Sequence, residues 1–143
     1  MFLTLRAKKS TRILGIKGEN AAVKALEECG MTILARNFRC KPGELDIVAL
    51  DGNELVFAEV KTRSKSDNYL PGANLSDAQK QRIRRGALAY CRKHHIADEI
   101  AKRFDLVEVI HDGRKLHSIA IHENYMPFSR PVFLTGAANG AIL

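Results

Sequence analysis

The sequence lacks any hydrophobic run approaching the roughly 20 residues that a membrane-spanning helix needs. Its first residues, MFLTLR, are too few and too interrupted by charge for a signal peptide. Cysteine is scarce: Cys29, Cys40 and Cys91 are odd in number, lie far apart and match no metal or redox spacing. Internal repeats and linker-like boundaries are also missing. We therefore expect a single domain, located in the cytoplasm and not attached to a membrane.

The charge is unbalanced and unevenly distributed. Lysine and arginine number 23 and aspartate and glutamate 16, which gives a net charge of +7. Residues 1–17 and 78–95 contain several basic residues and no acidic one, whereas acidic residues cluster between residues 44 and 59. A basic surround about an acidic centre favours a polyanionic partner, nucleic acid before membrane, although either basic run alone is also typical of a solvated face.

The first regular pattern predicts a helix from Gly15 to Gly30, with Val23 and Leu26 on its apolar side. At 100° per residue, Glu19 lies only about 20° from Leu26 around the helix. A carboxylate on the core-facing side is costly unless another group pairs with it. Glu19 is therefore a candidate functional residue.

The rest of the chain predicts an α/β domain with the element order α-β-β-β-α-β-β. The second helix begins with a capping box from Ser76 to Gln79 and continues to about His95. Residues 1–14 are expected to form a basic arm, residues 15–128 the domain and residues 129–143 a poorly ordered tail. Strands are expected over residues 31–39, 44–50, 54–61, 103–110 and 115–121.

A β-hairpin brings two acidic residues together. If Gly52-Asn53 is its two-residue loop, Asp51 pairs with Glu54 and Asp46 lies directly opposite Glu59. If Asp51-Gly52 is the loop instead, Asp46 and Glu59 become diagonal neighbours on the same face. The pairing of these two carboxylates therefore does not depend on the choice of turn.

Like charges opposite each other destabilise a sheet, and a divalent cation would resolve the conflict. Two carboxylates with waters suit Mg²⁺, which activates water and neutralises charge on a phosphodiester. Lys61 projects from the same face as Glu59 and would orient the water or stabilise the phosphate. The alternative is an ordinary salt bridge between Lys61 and one of the acids.

These residues belong to a set of five motifs in register, and the sequence resembles the YraN family of bacterial proteins. That family is similar to the archaeal Holliday-junction resolvases and to the PD-(D/E)XK nuclease superfamily. The resemblance implies a restriction-endonuclease-like fold with three layers, in which a central mixed sheet is flanked by helices. The motifs are Gly18-Glu19, Ile33–Arg39, Gly43–Ala49, Leu55–Arg63 and Arg103-Phe104-Asp105.

The resemblance also implies a site. Asp46 and Glu59 would be metal ligands for Mg²⁺ or Mn²⁺, Lys61 the catalytic lysine, and Glu19 an acid reaching the same metal from its helix. Glu44 would face Lys61 as its partner, and Gln79 or Lys80 would support the site from the second helix. The basic residues that we expect to bind nucleic acid are Arg36, Arg39, Arg63, Lys80, Arg82 and Arg85.

The sequence thus favours a metal-dependent endonuclease-like enzyme that hydrolyses DNA, with branched or broken DNA among the candidate substrates. A non-catalytic nucleic-acid-binding module with the same fold is the second hypothesis, and a partner-binding protein whose charge maintains solubility is the third. Resolvase-like enzymes often need two sites, so a homodimer is left open. The five histidines show no zinc spacing, and we expect no metal role for them.

Overall fold

A computed structural model describes residues 2–41, 43–65, 75–112 and 114–128, and the side chains within these ranges from Arg12 onward except that of His117. The predicted order of elements is confirmed. In the described residues the elements are α1 (Phe2–Glu28), β1 (Thr32–Cys40), β2 (Gly43–Asp51), β3 (Glu54–Ser64), α2 (Asp77–Lys93), β4 (Lys102–His111) and β5 (Leu116–Met126).

The described strands form one mixed sheet in the order β1-β2-β3-β4-β5. Neighbouring strands are antiparallel except β3 and β4, which are parallel because α2 lies between them in sequence and returns the chain to the same edge. One apolar cluster, which includes Phe57 and Tyr90, packs between the sheet and α2. A second, which includes Leu26 and Val107, packs between the sheet and α1. This three-layer arrangement is consistent with the predicted fold class.

The β2–β3 hairpin has the first of the two predicted registers. Asp51 pairs with Glu54, so Gly52-Asn53 is the two-residue loop. Gly52 has a φ of 58°, which its missing Cβ permits, and glycine at the first loop position is typical of a type II′ hairpin turn. The register continues without a shift as far as the pair Ile47–Ala58.

Helix α2 begins at the predicted capping box. The Ser76 hydroxyl accepts a hydrogen bond from the Gln79 N–H, and the Gln79 side chain accepts one from the Ser76 N–H. Glycines let α2 approach β2 closely. A Cβ on Gly86 would lie 2.8 Å from the carbonyl oxygen of Glu44, and a Cβ on Gly43 would overlap the backbone of Arg82.

Helix α1 is longer than its sequence pattern indicated, because it begins at Phe2 rather than near Gly15. The segment expected as a basic arm is therefore helical from Phe2 onward, while the predicted tail of residues 129–143 lies outside the described residues. Ala22 and Leu26 are fully buried beneath the sheet. In the described parts of the chain, neither helix has the length and apolar character needed to cross a bilayer.

A buried arginine closes the end of the sheet at which the hairpin turns. Arg103 on β4 is 8% exposed and lies 3.0 Å from Asp105, 2.9 Å from Asp51 and 3.4 Å from Glu54. Asp105 also accepts a hydrogen bond from the Asn124 N–H of β5. The ion pairs join β2, β3 and β4, and the hydrogen bond adds β5, so the strands are crosslinked at this end of the sheet.

The close approach of α2 to β2 leads to a stability prediction. We expect Gly86→Ala to lower the free energy of unfolding by about 1–3 kcal/mol, because its methyl group would meet the β2 backbone and force the helix outward. The matched control is Gly15→Ala on α1, where nothing lies within 4 Å and alanine is the better helix former. Chemical denaturation measures both variants, and equal stability of Gly86→Ala and the native chain would contradict the prediction.

Candidate metal and nucleic-acid site

The β2–β3 pairing ends at the predicted acidic residues. Ile47–Ala58 is the last pair of the described ladder, and Asp46 and Glu59 follow it on their strands. Beyond this point the Asp46 side chain takes over as acceptor, since its Oδ2 accepts a hydrogen bond from the Val60 N–H at 2.8 Å. A carboxylate thus lies between the two strands where a carbonyl group would otherwise stand.

Glu59 lies against this carboxylate. Burial, the charge of Asp46 and a hydrogen bond to Asp46 together raise the pKa of Glu59 to about 9, with burial the largest cause. The Lys61 ammonium acts in the opposite direction and lowers the pKa of Glu59. Without a cation, therefore, the Glu59 carboxyl group is protonated near neutral pH. The structure brings Asp46, Glu59 and Lys61 together as the sequence predicted.

Glu19 reaches the same region from α1, but its carboxylate is held by β1. Its Oε1 accepts a hydrogen bond from Asn37 Nδ2 at 2.7 Å and lies 3.4 Å from Arg36 Nη2. Asn37 lies between the β1–β2 pairs Arg36–Ile47 and Phe38–Leu45. Its φ of 51° is a left-handed conformation that asparagine tolerates better than most residues. Glu19 is thus paired, as a core-facing carboxylate requires.

An open cleft of about 500 Å³ lies beside Glu19, Asn37 and Asp46. Glu19, Glu44 and Asp46 contribute the acidic part of its wall. The basic groups in the same wall are Arg12, Arg39 and His111. The cleft therefore offers carboxylates to a cation and guanidinium groups to a phosphate.

The predicted three-carboxylate metal set is not assembled. In the chain segments that the structure describes, no three His, Cys, Asp or Glu side chains are close enough together to hold a metal ion. Glu19 lines the cleft beside Asp46, and its Oε1 is already held by Asn37 and Arg36. The ligand set that the structure offers is therefore the Asp46–Glu59 pair.

This pair fits Mg²⁺ or Mn²⁺. Both are hard cations that prefer oxygen ligands, and Mg²⁺ is commonly bound by one or two carboxylates while it keeps several waters. The raised pKa of Glu59 has the same implication, because a cation would compensate the charge that burial and Asp46 disfavour. Asp46 and Glu59 would hold the ion, and the open cleft would leave room for water and a phosphate.

Two predicted supporting residues have other contacts. Glu44 lies 3.5 Å from Arg82 of α2 instead of pairing with Lys61, because the β2–β3 ladder ends before the register could bring Glu44 and Lys61 together. The Gln79 side-chain oxygen accepts the capping bond from Ser76, so that oxygen serves the helix end and not the site.

The residues predicted to bind nucleic acid differ in their availability. Arg39 is exposed in the cleft wall, and Arg85 is exposed on α2. Arg82 is exposed but shared with Glu44, and Lys80 is half-buried. Arg36 binds the Asn20 side chain at 2.7 Å, and Arg63, 18% exposed, lies 3.4 Å from the buried Glu108. Arg39 and Arg85 are therefore the best placed of the six.

Sequence reasoning missed three residues near the site: Asn37, Glu108 and His122. Glu108 is 1% exposed within β4, and its Oε1 lies 2.7 Å from His122 Nε2 on β5. The sequence did indicate that Glu108 is a special residue. It is the one acid within the apolar run from Leu106 to Ile110, and a buried carboxylate needs partners. His122 carried no comparable signal, because only the β4–β5 register brings it to Glu108.

The pKa of Glu59 leads to a prediction about stability and pH. A carboxyl whose folded pKa is raised favours the folded state when protonated, so the metal-free protein should lose stability as the pH rises from 4.5 toward about 9. We expect Glu59→Gln, which stays neutral, to melt several degrees above the native chain near about pH 8 and close to it near about pH 5. Thermal unfolding in the presence of a chelator measures the difference.

The matched control is Glu44→Gln, which removes a more exposed carboxylate near the site and also loses the ion pair with Arg82. It should not raise the melting temperature near about pH 8. Identical melting of Glu59→Gln and the native chain at both pH values would show that burial does not disfavour the Glu59 charge.

Known proteins resemble this chain over most of its described length. The family model described as "Uncharacterised protein family UPF0102" matches residues 18–109. A UPF0102 protein of Arthrobacter sp. (strain FB24) is 46% identical over 101 residues, which cover 71% of this chain and 85% of that protein. One from Geobacter metallireducens is 42% identical over 101 residues (71% and 82%), and one from Coxiella burnetii is 36% identical over 102 residues (71% and 85%). The matched segment contains Glu19, Asp46, Glu59 and Lys61, and the chain belongs to the UPF0102 family, the YraN family that its motifs indicated.

Proposed function

We propose that this protein is a metal-dependent phosphodiesterase of the nuclease type that acts on DNA. The observation that supports this most strongly is the Asp46–Glu59 carboxylate pair, which lies where the β2–β3 ladder opens and has Lys61 beside it. A sheet gains nothing from two acids in that position, whereas a hydrolytic metal site needs them. The resemblance of the motifs to PD-(D/E)XK nucleases leads to the same proposal.

Different residues of the chain would have different roles in hydrolysis. Asp46 and Glu59 would hold Mg²⁺ or Mn²⁺, which supplies an activated water and neutralises charge on the phosphate. The hydrogen bond from the Val60 N–H fixes the Asp46 carboxylate, so this ligand is oriented in advance. Lys61 would donate hydrogen bonds to the attacking water or to the phosphate oxygens. Attack of water on phosphorus breaks the bond to the leaving sugar oxygen, which takes up a proton.

Basic residues around the cleft would bind the DNA backbone. Arg12 and Arg39 contribute to the cleft wall beside the carboxylates, and Arg85 is exposed on α2. Residues 78–95 contain no acidic side chain, so α2 presents a positive field to a polyanion. Binding that depends on such phosphate contacts should weaken steeply with salt. A cytoplasmic location, which the cysteine usage favours, is part of the same proposal.

Cleavage assays test the proposal. The native chain and Asp46→Asn are incubated with linear, flapped and four-way DNA, and with single-stranded RNA, in Mg²⁺ or Mn²⁺. Asparagine can still accept the Val60 hydrogen bond but lacks the charge, so we expect cleavage to fall by at least about 10²-fold without loss of folding. Comparison of the DNA and RNA substrates shows which nucleic acid is cut.

The matched control is Asp51→Asn, which removes an acid from the same strand at the closed end of the sheet, where Asp51 pairs with Arg103. It should cleave like the native chain. Equal cleavage by Asp46→Asn and the native chain, or none by either, would count against the enzyme. Salt-dependent DNA binding without Mg²⁺ uptake in calorimetry would favour the non-catalytic module, and no binding to nucleic acid at low salt would favour the partner-binding protein.

A further inference from the structure

A buried carboxylate lies on the strand next to the proposed catalytic lysine. In the parallel register of β3 and β4, Lys61 pairs with Glu108, so the two residues face the same side of the sheet on strands about 4.8 Å apart. Glu108 is 1% exposed, which makes it one of the most deeply buried charged residues in the described chain. A charge in such a place requires compensation from its neighbours.

Two residues on the flanking strands hold this carboxylate, one on each oxygen. Arg63, two positions beyond Lys61 on β3, places its Nε 3.4 Å from Glu108 Oε2. His122 on β5 is a diagonal neighbour, and its Nε2 lies 2.7 Å from Glu108 Oε1. Both contacts join residues on the same side of adjacent strands, so the carboxylate is fixed across the width of three strands.

Lys61 is near this charge but not bound by it. No ion pair within 4 Å involves Lys61 among the residues that the structure describes, while both Glu108 oxygens have other partners. Lys61 and Arg63 project from the same strand face about 7 Å apart and repel each other. Glu108 offsets this repulsion, because its carboxylate contacts Arg63 and its residue pairs with Lys61 in the β3–β4 register.

We propose that Glu108 is a positioning residue for Lys61, an inference that rests on the proposed function. Glu108 holds the Lys61 side chain in one orientation by attraction, and Arg63 and His122 prevent the carboxylate from closing onto the lysine. The Lys61 ammonium is thereby kept in place and remains available to a water or a phosphate. Glu108 itself touches neither metal nor substrate.

The test measures the order of the Lys61 side chain directly. In ¹H–¹³C spectra of lysine ε-methylene groups, with the Lys61 signal assigned from its absence in Lys61→Arg, a fixed side chain gives two distinct proton shifts. We expect two shifts in the native chain and one averaged shift in Glu108→Gln, which keeps the shape and loses the charge. The matched control is Asp105→Asn, a buried acid on the same strand at the Arg103 end, which should retain two shifts.

Kinetics provide the second measurement. In Glu108→Gln we expect kcat to fall about tenfold. KM for DNA and the affinity for Mg²⁺ should stay within about twofold of the native values, because only Lys61, which acts in the transition state, is displaced. Asp105→Asn should retain the native kcat below its melting temperature. Loss of Mg²⁺ binding together with kcat would overturn the proposal, since Glu108 would then act through the metal site.

The spectra separate this proposal from the function on which it rests. Two unchanged Lys61 shifts in Glu108→Gln would refute the positioning role whether or not the protein cleaves DNA. Averaging in Glu108→Gln alone supports that role even if no nucleic acid is cut, in which case only the proposed function fails. If Glu108→Gln does not fold, His122→Asn replaces it. This variant frees Glu108 Oε1 toward Lys61, so its Lys61 shifts and kcat should change, and unchanged values overturn the proposal.

Discussion

The buried contact between the carboxyl groups of Asp46 and Glu59 shapes the centre of the molecule. The two acids lie one step beyond the last described pair of the β2–β3 ladder, where like charges would face each other across the strands. The strands separate there, and the Asp46 carboxylate accepts the Val60 N–H that a continued ladder would have satisfied. A hydrogen bond to an ionised acceptor is stronger than a neutral one, which offsets part of the cost of ending the ladder. The cleft begins at this opening.

The charges of the chain are organised around the same opening. At the closed end of the sheet, Arg103 forms ion pairs with three acids, and these contacts crosslink the strands and offset the repulsion at the turn. Beside the opening, Glu108 is balanced by Arg63 and His122. Several of the 16 acidic residues are therefore used inside the fold. The bulk charge thus gives little information about the site, whereas the position of each acid is informative.

Sequence patterns of a few neighbouring residues were sufficient to predict most of the fold and part of the site. The turn at Gly52, the capping box at Ser76 and the helical phase of Glu19 each depend on a few neighbouring residues, and each prediction agrees with the structure. The contacts of Glu44 and Gln79 were different because they depend on competition. Arg82 competes for Glu44 once α2 packs on β2, and the end of α2 competes for the Gln79 oxygen. For Glu44, no pattern within a single element contains that information, since the competing arginine comes from another element, whereas the capping box at Ser76 already indicated the Gln79 contact.

The site is held in place by its surroundings rather than by its own interactions. Glu59 is a carboxyl group in a position that disfavours its charge, and Asn37 adopts a left-handed backbone conformation to bind Glu19. Such features persist only where the rest of the fold enforces them. Here Arg103 locks the far end of the sheet, and the glycine contact between Gly86 and β2 holds the strand that carries Asp46. The unfavourable charge of Glu59 lowers the stability of the folded chain, and a cation bound by the two carboxylates would offset that loss.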